Sequence, residues 1–185
     1  MIESIDTKAI MERFEMQFLM DNRRCIFDVD VPRIVIAGHE MGPFKKGQEA
    51  SLPNWAIEKL SSRGLVHIHR DDEYESTTGL KRFYHTEKGQ PYNLQQFPEF
   101  IYTASARKLL RLQGDKTSLD PKRYEDIESI QQMLSVMVET RLTKILSIAK
   151  SGAYHDKRRQ MAHEERWLLD RLNYLISAWR EMLKE

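Results

Sequence analysis

The stretch of sequence that decides the fold runs from Asp120 to Gly152 and reads DPKRYEDIESIQQMLSVMVETRLTKILSIAKSG. Asp120 can cap a helix that begins at Pro121, and the pair Ser151-Gly152 can end it. Between these ends apolar residues recur at helical spacing, and no further proline or glycine interrupts the run. We predict a single helix here, about 45 Å long at a rise of 1.5 Å per residue.

The apolar residues of this helix cover about 220° of its circumference, whereas a helix that rests on one core shows a stripe of about 100°. A second helix, predicted from about Ala162 to Leu183, can cover only part of that surface. We therefore expect a second chain to cover the remainder. The candidate subunit-interface residues are Ile127, Ile130, Leu134, Met137, Val138, Leu142, Ile145, Leu172 and Trp179.

Two basic residues, Arg141 and Lys144, fall within or beside the apolar arc of the long helix. A charge buried there without a partner would lower the stability of the fold by roughly several kcal/mol, so both residues must be paired. The acidic residues at the start of the last helix are the plausible acceptors, and we predict a structural ion pair rather than a ligand contact. These acceptors are Glu164, Glu165 and Asp170.

The first part of the chain is predicted to be rich in turns, because five of the chain's eight glycines lie between Gly38 and Gly79. We predict a compact β-rich module preceded by an amphipathic helix. Its predicted elements are a helix from about residue 6 to 20, strands at 25–27, 34–36 and 65–68, a loop at 42–47, and a short helix between Pro53 and Gly64.

These elements predict an α+β fold, with a mainly α-helical domain of long helices and a small N-terminal β-rich domain. We place the N-terminal helix and the small domain at 1–70. Residues 71–90 mix charges with Thr, Ser and Gly without a sustained period, which predicts a linker. The helical domain then spans 91–185 and includes a further helix from about Pro98 to Leu112.

Composition excludes several classes of protein. The 185 residues carry a formal net charge of +1, so any attraction to nucleic acid must come from a local patch, of which Lys157, Arg158 and Arg159 form the best candidate. Cys25 is the only cysteine, which excludes an internal disulfide, a zinc ribbon and a cysteine-ligated cluster and fits a small core residue. No apolar run approaches the roughly 20 residues of a membrane span, so we expect an intracellular protein without a membrane.

No motif indicates catalysis or a cofactor. The glycine-rich part offers neither a dinucleotide fingerprint nor a P-loop, and no serine lies in a nucleophile elbow. His67 and His69, followed by Asp71 and Asp72, form the most metal-like group, but its acidic members lie in the predicted linker. We expect neither an enzyme nor a metal site, and a metal-dependent hydrolase stays an open alternative.

The run Met41–Val66, beginning MGPFKKGQEASLPNWAIEKL, resembles the small β domain of subunits of the GINS replication complex. The loop of that resemblance contains Gly42, Pro43, Phe44 and Gly47. FPEFIY at 97–102 looks like the start of the GINS helical domain, and ETRLTKI at 139–145 looks like its acidic-x-Arg-x-x-Lys helix. The order of the two domains resembles that of one archaeal paralogue and of eukaryotic subunit two.

This resemblance implies a non-catalytic scaffold in a heterotetramer with a paralogous GINS subunit. Such a complex would link the MCM helicase to a RecJ-like or CDC-type partner at the replication fork. The location implied is the cytoplasm near the nucleoid, or the nucleus in a eukaryote. A helical DNA-binding module that uses the basic patch near the last helix is the alternative function.

Overall fold

The computed structural model describes residues 7–36, 38–90, 93–114, 121–152 and 157–183. Two compact units divide the chain, the first at Met1–Glu73 and the second at Tyr74–Glu185. The first unit contains small antiparallel sheets, and the second is helical where it is described. The predicted α+β class, mainly helical with an N-terminal β region, is confirmed.

The first unit contains two helices and five strands among its described residues. They are α1 (Thr7–Met20), β1 (Asn22–Phe27), β2 (Ile34–Ile36), β3 (His39–Met41), β4 (Glu49–Pro53), α2 (Asn54–Ser61) and β5 (Val66–Ile68). Strand β1 lies between β4 and β5 in an antiparallel sheet, and β2 pairs with β3 in a separate hairpin. The predicted helices and strands of this unit are therefore present with small shifts of their ends.

Alternation along β1 produces the core of the first unit. Arg23, Cys25 and Phe27 are buried on one side of the strand, as its period of two requires. Phe27 and Cys25 pack with residues of α2 and β5, including Ile57 and Val66. Burial raises the pKa of the Cys25 thiol to about 11, so this cysteine is a core residue rather than a nucleophile.

The second unit contains four α-helices among its described residues. They are α3 (Thr77–Gly89), α4 (Ile101–Gly114), α5 (Pro121–Ser151) and α6 (His163–Met182), with a short 3-10 turn at Arg158–Gln160 before the last. The long helix α5 begins at the predicted proline, and Gly152 follows its last residue with a φ of +75°. Asp120, the predicted cap, lies outside the described residues.

Helix α3 corrects the prediction of a linker at 71–90. Ser76 caps this helix by accepting a hydrogen bond from the Gly79 amide at 3.0 Å, and Leu80 is fully buried. The helical unit thus begins at Tyr74 rather than at residue 91. The helix was not predicted because the buried side of α3 is short and ends in a carboxylate, Glu87, instead of an apolar residue.

Candidate subunit interface

A cluster of four buried charges holds the helical unit together. It consists of Arg141 and Lys144 from α5, Glu87 from α3 and Glu165 from α6, which we call the buried charge cluster. Two positive and two negative charges balance, so no net charge is removed from water. Arg141, only 1% exposed, is among the largest fully buried side chains of the described residues.

Arg141 uses every N–H of its guanidinium group. Nε and Nη2 donate to the two carboxylate oxygens of Glu165 at 2.7 and 2.6 Å. Nη1 donates to the Gln95 carbonyl at 2.8 Å and to Glu87 Oε2 at 3.4 Å. Nη2 also donates to the Gln160 carbonyl at 3.2 Å, and the group lies 4.1 Å from the centre of the Phe97 ring.

The charges around Arg141 raise its pKa more than its burial lowers it. Burial alone would lower the pKa of Arg141, but the hydrogen bonds and charge of Glu165, together with the charge of Glu87, raise it. Lys144 lies against the carboxylate of Glu87 and donates to the backbone carbonyls of Glu87 at 3.2 Å and Asn93 at 2.9 Å. The arrangement is that of a structural ion cluster with its donors satisfied.

The acceptors differ in part from those predicted. Glu165 pairs with Arg141, whereas Glu164 accepts from the amide and hydroxyl of Thr103 at 3.2 and 2.6 Å. Asp170 pairs instead with Arg158 at 2.6 Å. Glu87 was missed because it lay in the predicted linker. Its position seven residues after Leu80 on a helix was the signal that could have placed both on one face.

Glu165 also fixes the start of α6. Ala162, which precedes the helix, donates its amide hydrogen to Glu165 Oε2 at 2.9 Å. The hydroxyl of Tyr102 on α4 donates to Glu165 Oε1 at 2.6 Å. Burial and the neighbouring charge of Glu165 raise the pKa of Tyr102 well above its usual value. Glu165 therefore joins α4, α5 and the first turn of α6.

Beyond its first half, α6 presents an apolar surface that no described residue covers. Leu175, Trp179, Met182 and Leu183 are all more than half exposed, with Trp179 at 61%. They lie on one side of the helix, because they continue the spacing of the half-buried Leu172. We call these four exposed residues the α6 apolar stripe.

The predicted interface residues of α5 and α6 divide according to burial. Ile130, Met137 and Ile145 are at most 1% exposed and fill the chain's own core, so their prediction as interface residues is corrected. Ile127, Leu134, Leu142 and Leu172 are half-buried. Val138, at 43% exposed, and Trp179 offer free apolar surface. The surface available to a second chain is therefore narrower than the 220° arc.

The predicted basic patch is partly neutralised by the chain itself. Arg158 in the 3-10 turn donates to Asp170 of α6 at 2.6 Å. Arg159 is exposed and Lys157 is half-buried. Of the three predicted DNA contacts, one is therefore engaged within the chain.

The loop at 42–47 closes the small unit through its aromatic residue. The Phe44 ring stacks on Phe27 with centroids 4.1 Å apart, and its backbone exchanges two 2.8 Å hydrogen bonds with Val31. Gly42 and Gly47 adopt φ values of +92° and +78°, and Pro43 follows Gly42 through a cis peptide bond. Of the predicted loop residues, Phe44 thus packs against the core of this unit.

The metal-like group is occupied by other contacts. His67 Nδ1 lies 2.7 Å from Asp28 Oδ1, and His69 lies 3.6 Å or more from Glu49 and Asp71. Asp72 instead accepts two side-chain hydrogen bonds from Arg24, which lower the pKa of Asp72. Among the described residues, no three His, Cys, Asp or Glu side chains are grouped so that they could hold a metal ion.

The chain matches no protein-family model and no curated protein. None of the helices in the described ranges is both long and apolar enough to cross a membrane.

Proposed function

We propose that this chain is a non-catalytic scaffold subunit that assembles with a paralogue in a GINS-type complex. The order of the two units supports this proposal, since a small β-rich unit precedes a helical one as in the family that the sequence resembles. The segments that carry the resemblance, the loop at 42–47 and the helix around Arg141, both have defined structural roles.

The α6 apolar stripe is the observation that carries the proposal. Exposed apolar residues scattered singly are ordinary on protein surfaces, but a continuous group that includes a tryptophan favours a protein interface. Val138 adds to the exposed apolar surface of α5. A partner that covers the stripe would remove these side chains from water and gain the corresponding hydrophobic free energy.

The buried charge cluster supports a scaffold by fixing the helix that presents the stripe. Glu165 attaches the first turn of α6 to α5, and Arg180 near its end donates to the Lys150 carbonyl at 3.0 Å. Helix α6 is therefore held at its first turn and near its end. Such a preformed surface binds without the entropic cost of ordering a mobile segment.

In this proposal the partners are a paralogous GINS subunit within a heterotetramer, the MCM helicase and a RecJ-like or CDC-type protein. The work of the chain is to connect them at the replication fork, in the nucleoid or the nucleus. The alternative DNA-binding module at Lys157–Arg159 has less support, because Asp170 neutralises Arg158.

Light scattering of the chain co-expressed with a candidate paralogue tests the proposal, with the chain alone as control. A stable particle of four chains is expected. A monomer that ignores the paralogue would contradict the scaffold function.

A further inference from the structure

The exposed charges of helix α3 are all basic. Its exposed charged side chains are Lys81, Arg82 and Lys88, and the exposed His85 lies among them. Its single acidic residue, Glu87, is only 1% exposed and is engaged by Arg141 and Lys144. The cluster that stabilises the helical unit thus removes the one negative charge of α3 from the surface.

Four residues of α3 form a continuous strip along the helix. Lys81, Tyr84, His85 and Lys88 have the spacing i, i+3, i+4 and i+7, which places them on one side. We call them the α3 basic strip. Its two lysines are about 10 Å apart along the helix axis, at 1.5 Å per residue. Arg82 lies on the adjacent side of the helix.

Aromatic rings lie between the two lysines of the strip. The ring of His85 meets that of Tyr84 edge to face, with centroids 5.2 Å apart. The Lys88 ammonium lies 5.5 Å from the centre of the Tyr84 ring and 3.4 Å from its hydroxyl oxygen. Cations and π-faces therefore alternate along the strip.

The positive charges of α3 are not neutralised by the described part of the chain. No described carboxylate forms an ion pair with Lys81, Arg82 or Lys88. Near α6, by comparison, Arg158 pairs with Asp170 and Arg166 pairs with Glu99 at 2.7 Å. These cations can therefore pair with an anion of another molecule.

We infer that the α3 basic strip binds single-stranded nucleic acid. Lys81 and Lys88 would contact phosphates, and His85, beside Tyr84, would stack against a base. An exposed aromatic ring among cations suits a single strand, whose bases are free to stack, better than a duplex, whose bases are not. A helix that lies in a membrane interface carries an exposed apolar side, whereas Leu80 of α3 is buried.

Fluorescence anisotropy of the full chain with a labelled oligothymidylate of about twelve nucleotides tests this inference. Affinity is expected to fall as salt rises. The double variant Lys81→Gln/Lys88→Gln should reduce the slope of log K against log salt by about 1.4, since each contact to a single strand contributes about 0.7. His85→Ala should weaken binding about fivefold, near the lower end of the effect of losing one stacked base.

Lys157→Gln/Arg159→Gln is the matched control, because it removes the same charge from the patch near α6. Its binding should stay within about twofold of the unchanged chain. Circular dichroism should be unaltered in all these variants, since none of the substituted side chains is buried. An equal loss in both double variants would overturn the inference. So would the absence of binding at 50 mM salt, about the low end of the usual range, or displacement of the oligonucleotide by an equal charge of polyglutamate.

Discussion

Arg141 and Glu165 join α5 to the first turn of α6 through two parallel hydrogen bonds of 2.7 and 2.6 Å. The planar guanidinium matches both carboxylate oxygens at once, and a lysine could not reproduce this geometry. Both side chains are almost fully buried. The cost of taking two charges out of water is offset only because each finds several further partners.

Replacement of Arg141 by methionine should lower the free energy of unfolding by about 3–5 kcal/mol, because Glu165 and Glu87 would remain buried without their shared cation. Urea unfolding followed by circular dichroism measures this loss. Arg159→Met is the control, since Arg159 is exposed, and its effect should stay below about 0.5 kcal/mol. Equal stability of Arg141→Met and the unchanged chain would refute the structural role.

Glu87 should be as necessary as Arg141. Glu87→Gln would leave Lys144 buried without a carboxylate and should cost about 3 kcal/mol in the same unfolding experiment. The double variant Glu87→Gln/Lys144→Met should recover part of that loss, because it removes the unpaired cation as well. A coupling energy of about 0.5–3 kcal/mol is expected between the two sites. Strictly additive losses would show that the two side chains act independently.

The long helix could be predicted from sequence, whereas α3 could not. In α5 the apolar period, the first proline and the final glycine all indicate the same element. In α3 the buried side ends in Glu87, whose cationic partners lie 54 and 57 residues away in the chain. A charge looks exposed until the helix that carries its partner is placed beside it, so local patterns indicate a linker.

The prediction of the interface residues was limited for the same reason. Met137 and Val138 are neighbours in sequence and both apolar, yet one is 1% exposed and the other 43%. Helical spacing defines the width of an apolar face, but the packing of α3 and α6 decides which part of it the chain covers itself. Only the uncovered part can bind another subunit.

Substitution of Trp179 should disrupt assembly without unfolding the chain. Trp179→Glu places a charge in the α6 apolar stripe and should weaken subunit association at least about thirtyfold, as for a tryptophan at the centre of an interface. Tyr174→Glu is the matched control, since Tyr174 is 70% exposed and lies about 140° around the helix. Light scattering over a dilution series distinguishes the two. Equal behaviour of both variants would exclude the stripe as the interface.

Gly42 should be less tolerant of substitution than Gly47. Both have positive φ, so alanine strains the backbone by about 1–2 kcal/mol at either position. At Gly42 the added Cβ would also lie 3.2 Å from the Phe44 ring and from the Pro32 carbonyl oxygen, whereas at Gly47 it would meet nothing within 4 Å. Hydrogen exchange at the amides of Val31 and Phe44 should accelerate more in Gly42→Ala. Equal exchange rates in the two variants would show that the contact of the added Cβ with Phe44 does not make Gly42→Ala more costly than Gly47→Ala.

Glu164 should make the stability of the chain depend on pH. Burial raises its pKa above the ordinary value of 4.5, although hydrogen bonds from Thr103 oppose the change. Between 4.5 and the raised pKa the native carboxyl holds more proton than the unfolded one, so its contribution to stability decreases as pH rises through that window. The unchanged chain should therefore lose stability relative to Glu164→Gln over the same interval.

Urea unfolding of both proteins from pH 4 to pH 8, roughly the range over which a raised carboxyl pKa acts, measures that difference. The informative quantity is its change with pH, because any fixed cost of the buried amide in Glu164→Gln cancels. Thr103→Val provides the control. Loss of the hydroxyl that donates to Glu164 at 2.6 Å should raise the pKa of Glu164 further and move the window to higher pH. A difference that stays constant with pH would mean that Glu164 does not titrate between the folded and unfolded states as its burial requires.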